Sequence, residues 1–189
     1  PWQTDTCIGD WHYNRARFTN HYYVPAHSVV QRLVDVVSKN GNLMLNIPQR
    51  GDGSIDGDER RILTDIAAWM KVNGEAIFET RPWRTYGEGP TTVVGGMHGE
   101  GAARPWTGQD IRFTTKGATL YAFALDWPED GRMQIRTLTP QAGRVEAVEL
   151  LGGGALPFRQ SDQGLVIDLP ENRPVTVAPA VRLRGAGLV

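Results

Sequence analysis

The spacing of apolar residues changes near Arg84, and this change limits the possible folds more than any other feature of the chain. Before it, apolar residues recur at helical spacing in residues 28–40 and 58–74, on either side of the short apolar run 42–47. This pattern predicts a helix, a buried strand and a helix, the order typical of a parallel α/β layer. After it, short β-type runs at a spacing of about ten residues, separated by glycine and proline, predict an antiparallel sandwich.

Capping signals bound the two predicted helices. Ser28 can cap the first helix, and Asn40-Gly41 is a good stop signal. Asp56 followed three residues later by Glu59 resembles a capping box for the second helix. Two helices and two strands cannot cover both faces of a parallel sheet, so we expect this half to be the end of a larger α/β domain. The apolar helix faces should then be covered by upstream units or by a partner.

Composition and motif spacing argue against several classes of function. The formal net charge of -1 gives no chain-wide attraction to nucleic acid, and no apolar run approaches membrane-spanning length. Residues 51–59 lack the alternating ligands of a calcium-binding EF-hand, and no Cys/His cluster has zinc spacing. The glycine-rich segment 87–101 lacks the Lys-Ser/Thr ending of a P-loop. We expect no metal and no nucleotide, and neither nucleic acid nor a membrane as a partner.

The opening segment, PWQTDTCIGDWHYN, is rich in large polar-tipped side chains for a chain terminus, where order is commonly lost. It holds two tryptophans, a histidine, a tyrosine, two aspartates and the only cysteine, Cys7. A single cysteine cannot form an internal disulfide framework. We interpret the segment as an interior part of a longer protein that lines a binding site.

Three motifs are specific enough to indicate a family. They are WHYN after CIGD, the block LVDVVSKNGNLMLNIPQRGDGSI, and the block ERRILTDIAAWMKVNGEAIFETRPW. Together they resemble the C-terminal part of the α-L-fucosidases of glycoside hydrolase family 29. The resemblance implies that residues 1–84 are the last units of a (β/α)-barrel catalytic domain and that residues 85–189 form an antiparallel β-sandwich. Family members of this kind need no cofactor.

The resemblance also implies a reaction, the hydrolysis of terminal α-linked fucose from glycans with retention. Such enzymes use an aspartate nucleophile and a glutamate acid/base, two carboxyl groups about 5 Å apart across the scissile bond. The nucleophile motif of the family, a tryptophan-rich strand end with an aspartate before glycine, does not occur in these 189 residues. In the family it lies upstream of this segment. Two other classes remain open: a sugar-binding module that hydrolyses nothing, and a purely structural brace for a barrel.

Gln3 stands where many members of the family have a glutamate after tryptophan, and in one subfamily a glutamate in this region is the acid/base. A glutamine cannot donate a proton as a carboxylic acid does. Either the acid comes from an upstream barrel loop, or the residue has been changed and the enzyme has lost general-acid catalysis worth about 10²–10⁴ in rate. We favour an upstream acid, with Gln3 as a polar wall of the substrate site.

Trp11 matches the aromatic residue of the WGYN-type motif of the family, which resembles a platform under the fucose ring. Fucose is a 6-deoxy sugar with one apolar edge, and this edge suits an indole face. His12 replaces the usual glycine and could add a polar group at the rim of the pocket. We interpret Asp10 as a turn residue and Asp5 as a support, since neither matches a catalytic position of the family. Asn46 ends the buried strand and could either hydrogen-bond loop backbone or stabilise the floor of the pocket, and we favour a structural role.

The expected partners are a fucosylated oligosaccharide or glycoconjugate and the upstream part of the same barrel. A homo-oligomer is compatible with the sequence. The sequence does not assign a cellular compartment: export, the periplasm and a lysosome-like compartment are all compatible with it, because no residue pattern selects among them.

Overall fold

The computed structural model describes residues 1–92 and 105–189. Its elements, in chain order, are β1 (Trp2–Cys7), α1 (Arg15–Thr19), α2 (Ala26–Ser38), β2 (Gly41–Asn46), α3 (Gly57–Asn73), β3 (Arg81–Glu88), β4 (Ile111–Lys116), β5 (Thr119–Ala124), β6 (Arg132–Ile135), β7 (Arg144–Leu150), β8 (Gly154–Ala155), β9 (Phe158–Ser161), β10 (Gly164–Asp168) and β11 (Ala180–Ala186). No helix within these described residues is both long and apolar enough to cross a membrane.

The first part of the chain is a βαβ unit followed by a helix. Strands β1 and β2 pair in parallel, from Trp2 opposite Gly41 to Cys7 opposite Asn46. The predicted capping box of α3 is confirmed. The Asp56 carboxylate accepts hydrogen bonds from the backbone N–H groups of Asp58 and Glu59, and the Glu59 carboxylate accepts one from the Asp56 N–H. Helix α2 begins at Ala26, two residues before the predicted cap.

The two long helices lie between the parallel sheet and the rest of the chain. Val29 of α2 and Ile62 of α3 pack with Ile8, on the side of the parallel sheet. Val30 of α2 and Trp69 of α3 join the core of the β strands that follow. The expectation that upstream units or a partner must cover the apolar helix faces is therefore wrong for this second side, because the later half of the same chain covers it.

The second part of the chain consists of two antiparallel sheets. A six-stranded sheet has the order β3-β4-β5-β11-β7-β8, and a three-stranded sheet has the order β6-β10-β9. Side chains from both sheets enter one core, including Phe113 and Phe123 from the larger sheet and Met133 and Leu165 from the smaller. The predicted antiparallel pairing is thus present in every strand pair described here.

Strand β3 bears on the expected division of the chain. It pairs with β4, Arg81 opposite Thr115, and so belongs to the six-stranded sheet. A boundary between Arg84 and Thr85 would fall inside this strand. Since a strand belongs with the sheet it is bonded to, the structure favours a division before Arg81.

Buried polar contacts join the two parts. The Asp35 carboxylate of α2 accepts a hydrogen bond of 2.6 Å from Nε of Arg112 on β4, whose side chain is only 3% exposed. Nearby, Nε2 of Gln31 donates to the backbone carbonyl of Leu125 at 2.8 Å. These contacts fix α2, and with it the parallel sheet, against the β strands.

Candidate functional site

The two faces of the parallel sheet differ. Leu43 and Leu45 of β2 pack toward the helices. Alternation along a strand places Met44 on the other face, where it is 50% exposed. On that face Nε2 of Gln3 donates to Oδ1 of Asp5 at 2.8 Å and lies 3.9 Å from the Met44 sulfur. The described residues leave this second face of the sheet bare, with an amide and a carboxylate on it.

The loop after β1 is held by hydrogen bonds to its backbone and to one carboxylate. Nδ2 of Asn46 donates to the carbonyl oxygens of Asp10 and Trp11, each at 3.3 Å, so the prediction that Asn46 binds loop backbone is confirmed. The Asp10 carboxylate accepts from Arg17 at 2.7 Å and from Asn14 at 2.8 Å. Hydrogen bonds from Arg17 and then Asn14 hold the pKa of Asp10 below its ordinary value. These contacts support the turn role expected for Asp10.

The side chains of Trp11 and His12 project from this fixed loop. The Trp11 side chain is 56% exposed and His12 is also exposed, so Trp11 is not a core residue. Gln3 is the second residue of β1, whereas Trp11 lies four residues beyond the last. At about 3.3 Å per residue, Gln3 lies about 13 Å before the end of that strand. The structure therefore places Trp11 and His12 together at the strand end, and Gln3 farther down the bare face.

Two arginines in this region were not found by sequence reasoning. Arg17 pairs with Asp10, and the Arg50 guanidinium lies over the rings of Tyr13 and Phe18, at 5.7 and 5.4 Å from their centroids. Nε of Arg50 also donates to the Tyr13 hydroxyl at 3.3 Å. Asp10 lies before helix α1 and Arg17 within it, so this contact depends on how the turn folds back rather than on helical spacing. Together these contacts order the segment that carries Trp11.

The glycine-rich and acidic loops give no separate chemistry to the site. Asp52 accepts hydrogen bonds from the backbone and the hydroxyl of Ser54, and Asp56 and Glu59 cap α3. Residues 93–101 of the segment compared with a P-loop lie outside the described residues. Within residues 1–92 and 105–189, no three His, Cys, Asp or Glu side chains form a cluster that could hold a metal ion.

A parallel βαβ unit with one bare polar face, fixed to an antiparallel β module, defines this chain as a two-part α/β and all-β protein. Residues 1–75 match the family model described as alpha-L-fucosidase, and residues 105–184 match the one described as alpha-L-fucosidase C-terminal domain. The chain belongs to the α-L-fucosidase family, glycoside hydrolase family 29, and corresponds to the C-terminal part of its members.

Individual relatives agree with this assignment. The chain is 32% identical to tissue alpha-L-fucosidase of Mus musculus, in a match covering 94% of this chain and 36% of the relative. It is 32% identical to plasma alpha-L-fucosidase of Homo sapiens, covering 85% and 31%. The Thermotoga maritima alpha-fucosidase solved in complex with fucose superposes with a TM-score of 0.74 at 27% identity, covering 96% of this chain and 39% of that one. The chain thus spans about a third of the length of the curated relatives it matches.

Proposed function

We propose that this chain forms the distal part of a retaining α-L-fucosidase, in which residues 1–80 are the last βα units of a (β/α)-barrel. The bare face of the β1–β2 sheet is the observation that carries the proposal. Parallel sheets occur almost only with both faces covered, and two strands alone are too few for independent stability. One face of this sheet packs on helices, while Met44 and Gln3 lie exposed on the other. The remaining strands of a closed barrel would cover that face and pair with the open strand edges.

The β strands from β3 onward form the second domain of this proposal, a β-sandwich over residues 81–189. The shared core of the six-stranded and three-stranded sheets supports a sandwich, since buried side chains of both sheets, such as Phe113 and Leu165, belong to one hydrophobic cluster. The pairing of β3 with β4 moves the boundary from the expected residue 84 to residue 80.

The substrate in this proposal is a terminal fucose on an oligosaccharide or glycoconjugate, bound beside Trp11. Ligands of barrel enzymes bind at the carboxyl ends of the strands, and Trp11 follows the carboxyl end of β1. Its exposed indole offers a flat apolar surface to the methyl-bearing edge of a 6-deoxy sugar. His12 adds a polar group at the rim. Fucose in the Thermotoga maritima structure supports the same class of ligand here.

The reactive carboxylates of the proposed reaction come from outside these residues. A retaining glycosidase needs a nucleophile and an acid/base about 5 Å apart. On the bare face Asp5 lies next to an amide rather than a second carboxyl group, because its Oδ1 accepts from Gln3. We assign Asp5 to orienting Gln3, and Gln3 to a polar wall. The upstream barrel supplies the nucleophile and, in the reading we favour, the acid.

A second candidate function is a sugar-binding module without hydrolytic activity. The amide of Gln3 favours it, since this position carries a carboxylic acid in many members of the family and an amide cannot protonate a leaving group. Substituting Gln3→Glu in the complete enzyme separates the two functions. If the acid is supplied upstream, kcat for p-nitrophenyl fucoside changes less than about tenfold. If Gln3 occupies the acid position, kcat rises by about 10²–10⁴.

The sugar contact is tested by Trp11→Ala in the complete enzyme. We expect fucose to bind more weakly by about 1–3 kcal/mol, the scale of one buried aromatic contact. Phe78→Ala is the matched control, because Phe78 is 62% exposed and lies after α3, outside β1 and the loop that carries Trp11. The 189-residue chain alone should not hydrolyse p-nitrophenyl fucoside. An unchanged inhibition constant for fucose in Trp11→Ala would remove the proposed platform.

A further inference from the structure

A second cleft lies in the β part of the chain. Its volume is about 1050 Å³, at the upper end of the range of small-molecule sites. One wall is the outward face of the three-stranded sheet, and the other is formed by residues 88–90 and 106–109. None of the residues that line it belongs to β1, β2 or the loop that carries Trp11. Any ligand of this cleft is therefore distinct from the fucose proposed above.

The sheet wall of the cleft carries three arginines. Arg132 begins β6 and Arg136 follows its end, while Arg159 lies on β9, at the other edge of the sheet. The central strand β10 places Val166 between Gln134 and Arg159. A valine is shorter than its long neighbours, so it leaves a trough that guanidinium groups can reach from both sides.

Two of these three arginines have no ion-pair partner among the described residues. Arg136 and Arg159 form no ion pair with any residue that the structure describes, and Arg132 approaches the Asp168 carboxylate only to 3.5 Å. A guanidinium is always charged and presents its donors in a planar fork that suits a carboxylate or a sulfate. Two such groups on one trough form a ready site for an anionic substituent.

Most carboxylates of the same cleft are already occupied by backbone N–H groups. Glu88 accepts from the N–H groups of Arg136 and Thr137 at 2.6 and 2.9 Å. Asp126 accepts from Trp127 N, and Asp130 from Arg132 N. Glu129 is left as an acidic group at the rim. These carboxylates fix the backbone around the arginines and remain charged. The preference for an anion therefore depends on the local position of Arg136 and Arg159 rather than on the net charge of the cleft, which holds four acidic residues and three arginines.

The opposite wall supplies an aromatic surface that is held in place. The Trp106 ring is half-buried and lies over the Arg112 guanidinium, 4.8 Å from the ring centroid. The next residue, Thr107, donates through its N–H and its hydroxyl to the buried carboxylate of Asp110. A fixed indole, arginine forks and the free amide of Gln134 together suit a sugar ring that carries one charged group. A compact inorganic anion would leave the indole unused.

We propose that this cleft binds an anionic saccharide, a sugar bearing a carboxylate or a sulfate ester. The anionic group binds Arg136 and Arg159, and the apolar face of the ring lies against Trp106. The site would recognise acidic glycans independently of whether the barrel hydrolyses fucose.

The test is a calorimetric or NMR titration of the complete enzyme with three probes: methyl β-D-glucuronide, glucose 6-sulfate and methyl β-D-glucoside. The glucuronide and the glucoside differ only in a carboxylate against a hydroxymethyl group. We expect at least one acidic probe to bind at least about tenfold tighter than the glucoside, the scale of one charge-assisted hydrogen bond. The acidic probe that binds identifies the charged group. This preference should weaken as salt is raised.

The double variant Arg136→Gln/Arg159→Gln should remove the preference for the acidic probe, and Arg159→Gln alone should reduce it. Arg144→Gln is the matched control, since Arg144 is an exposed arginine of β7 outside the cleft. Trp11→Ala should bind the acidic probe unchanged, which separates this site from the proposed fucose site. Equal affinity for all three probes, no saturable binding of either acidic probe, or an equal loss in Arg144→Gln would overturn the proposal.

Discussion

The parallel β1–β2 sheet and the antiparallel strand β5 bury their residues in different ways. In β5 every residue from Leu120 to Ala124 is buried, because the helices pack on one side and the three-stranded sheet on the other. In β2 the residues toward the helices pack, while Met44 remains half exposed. The β part thus completes its core within the described chain. The α/β part completes only one side and leaves the other bare among the described residues.

The largest effect should come from a core substitution in the β part. Phe123 is fully buried and its ring stacks on Trp69 at 6.3 Å between centroids. We expect Phe123→Ala to lower the free energy of unfolding by about 3–5 kcal/mol, because it removes transfer free energy and leaves a cavity. Met44→Ala on the bare sheet face should change it by less than about 0.5 kcal/mol. Urea unfolding of the 189-residue chain measures both values.

This pair of variants can contradict the comparison directly. A loss above about 1 kcal/mol in Met44→Ala would mean that the chain covers the bare face in solution, for example by self-association. A concentration-dependent unfolding midpoint would identify that case.

The next effect concerns the contact that joins the two parts. Asp35→Ala would leave Arg112 buried without its carboxylate, and removing one partner of a buried pair typically costs about 3 kcal/mol or more. Lys39→Ala is the control, because Lys39 binds the same carboxylate at 2.7 Å from a more exposed position. It should cost less than about 1 kcal/mol. Equal losses in the two variants would show that the buried pair does not anchor α2 on the strands.

The sequence predicted these parts unequally, for physical reasons. Helix α3 and its capping box follow from local signals around Asp56, and the structure has them as predicted. The cover of α2 by the β strands could not be predicted, since Asp35 and Arg112 are 77 residues apart and no local pattern pairs them. For the same reason no local pattern indicated that β3, which spans the expected division at residue 84, pairs with β4.

The candidate site shows the same limit. Asn46 was placed at the end of a buried strand from the sequence, and its bonds to the loop follow from that position. The ion pair of Arg17 with Asp10 depends on how the turn folds back. The grouping of three arginines on the sheet wall of the second cleft depends on which strands of the small sheet are neighbours. Long-range pairing of this kind is specified by packing rather than by residue spacing.

A smaller effect is expected at the loop that holds Trp11. Asn46→Ala removes two hydrogen bonds to the backbone of Asp10 and Trp11 and should lower the free energy of unfolding by about 1 kcal/mol. Asn42→Ala is the matched control, an exposed asparagine on the same strand. In the complete enzyme only Asn46→Ala should also weaken fucose binding, because it loosens the loop under Trp11. Equal behaviour of the two variants would show that the other contacts of the loop, such as that of Arg17 with Asp10, hold it without Asn46.

The smallest effect is a change in the pH dependence of stability, caused by Glu59. This side chain is fully buried, and burial raises the pKa of its carboxyl group above the ordinary value of 4.5. The folded chain therefore binds this proton more tightly than the unfolded chain, so the Glu59 contribution to stability falls as pH rises from about 4.5 through the raised pKa. The Glu59→Gln variant lacks this titrating proton, so its free energy of unfolding should not show this decrease with rising pH.

Glu79→Gln provides the opposite case. The hydrogen bond and charge of Lys116 hold the pKa of this exposed carboxyl group below its ordinary value, so its contribution is present above about 4.5 and is lost as pH falls through the lowered pKa. Urea unfolding of both variants between pH 3 and 8 should give difference curves of opposite sign. A Glu59→Gln curve parallel to the unsubstituted chain would mean that the α3 cap opens to water. The helix side of the α/β part would then be more accessible to water than its buried core residues indicate.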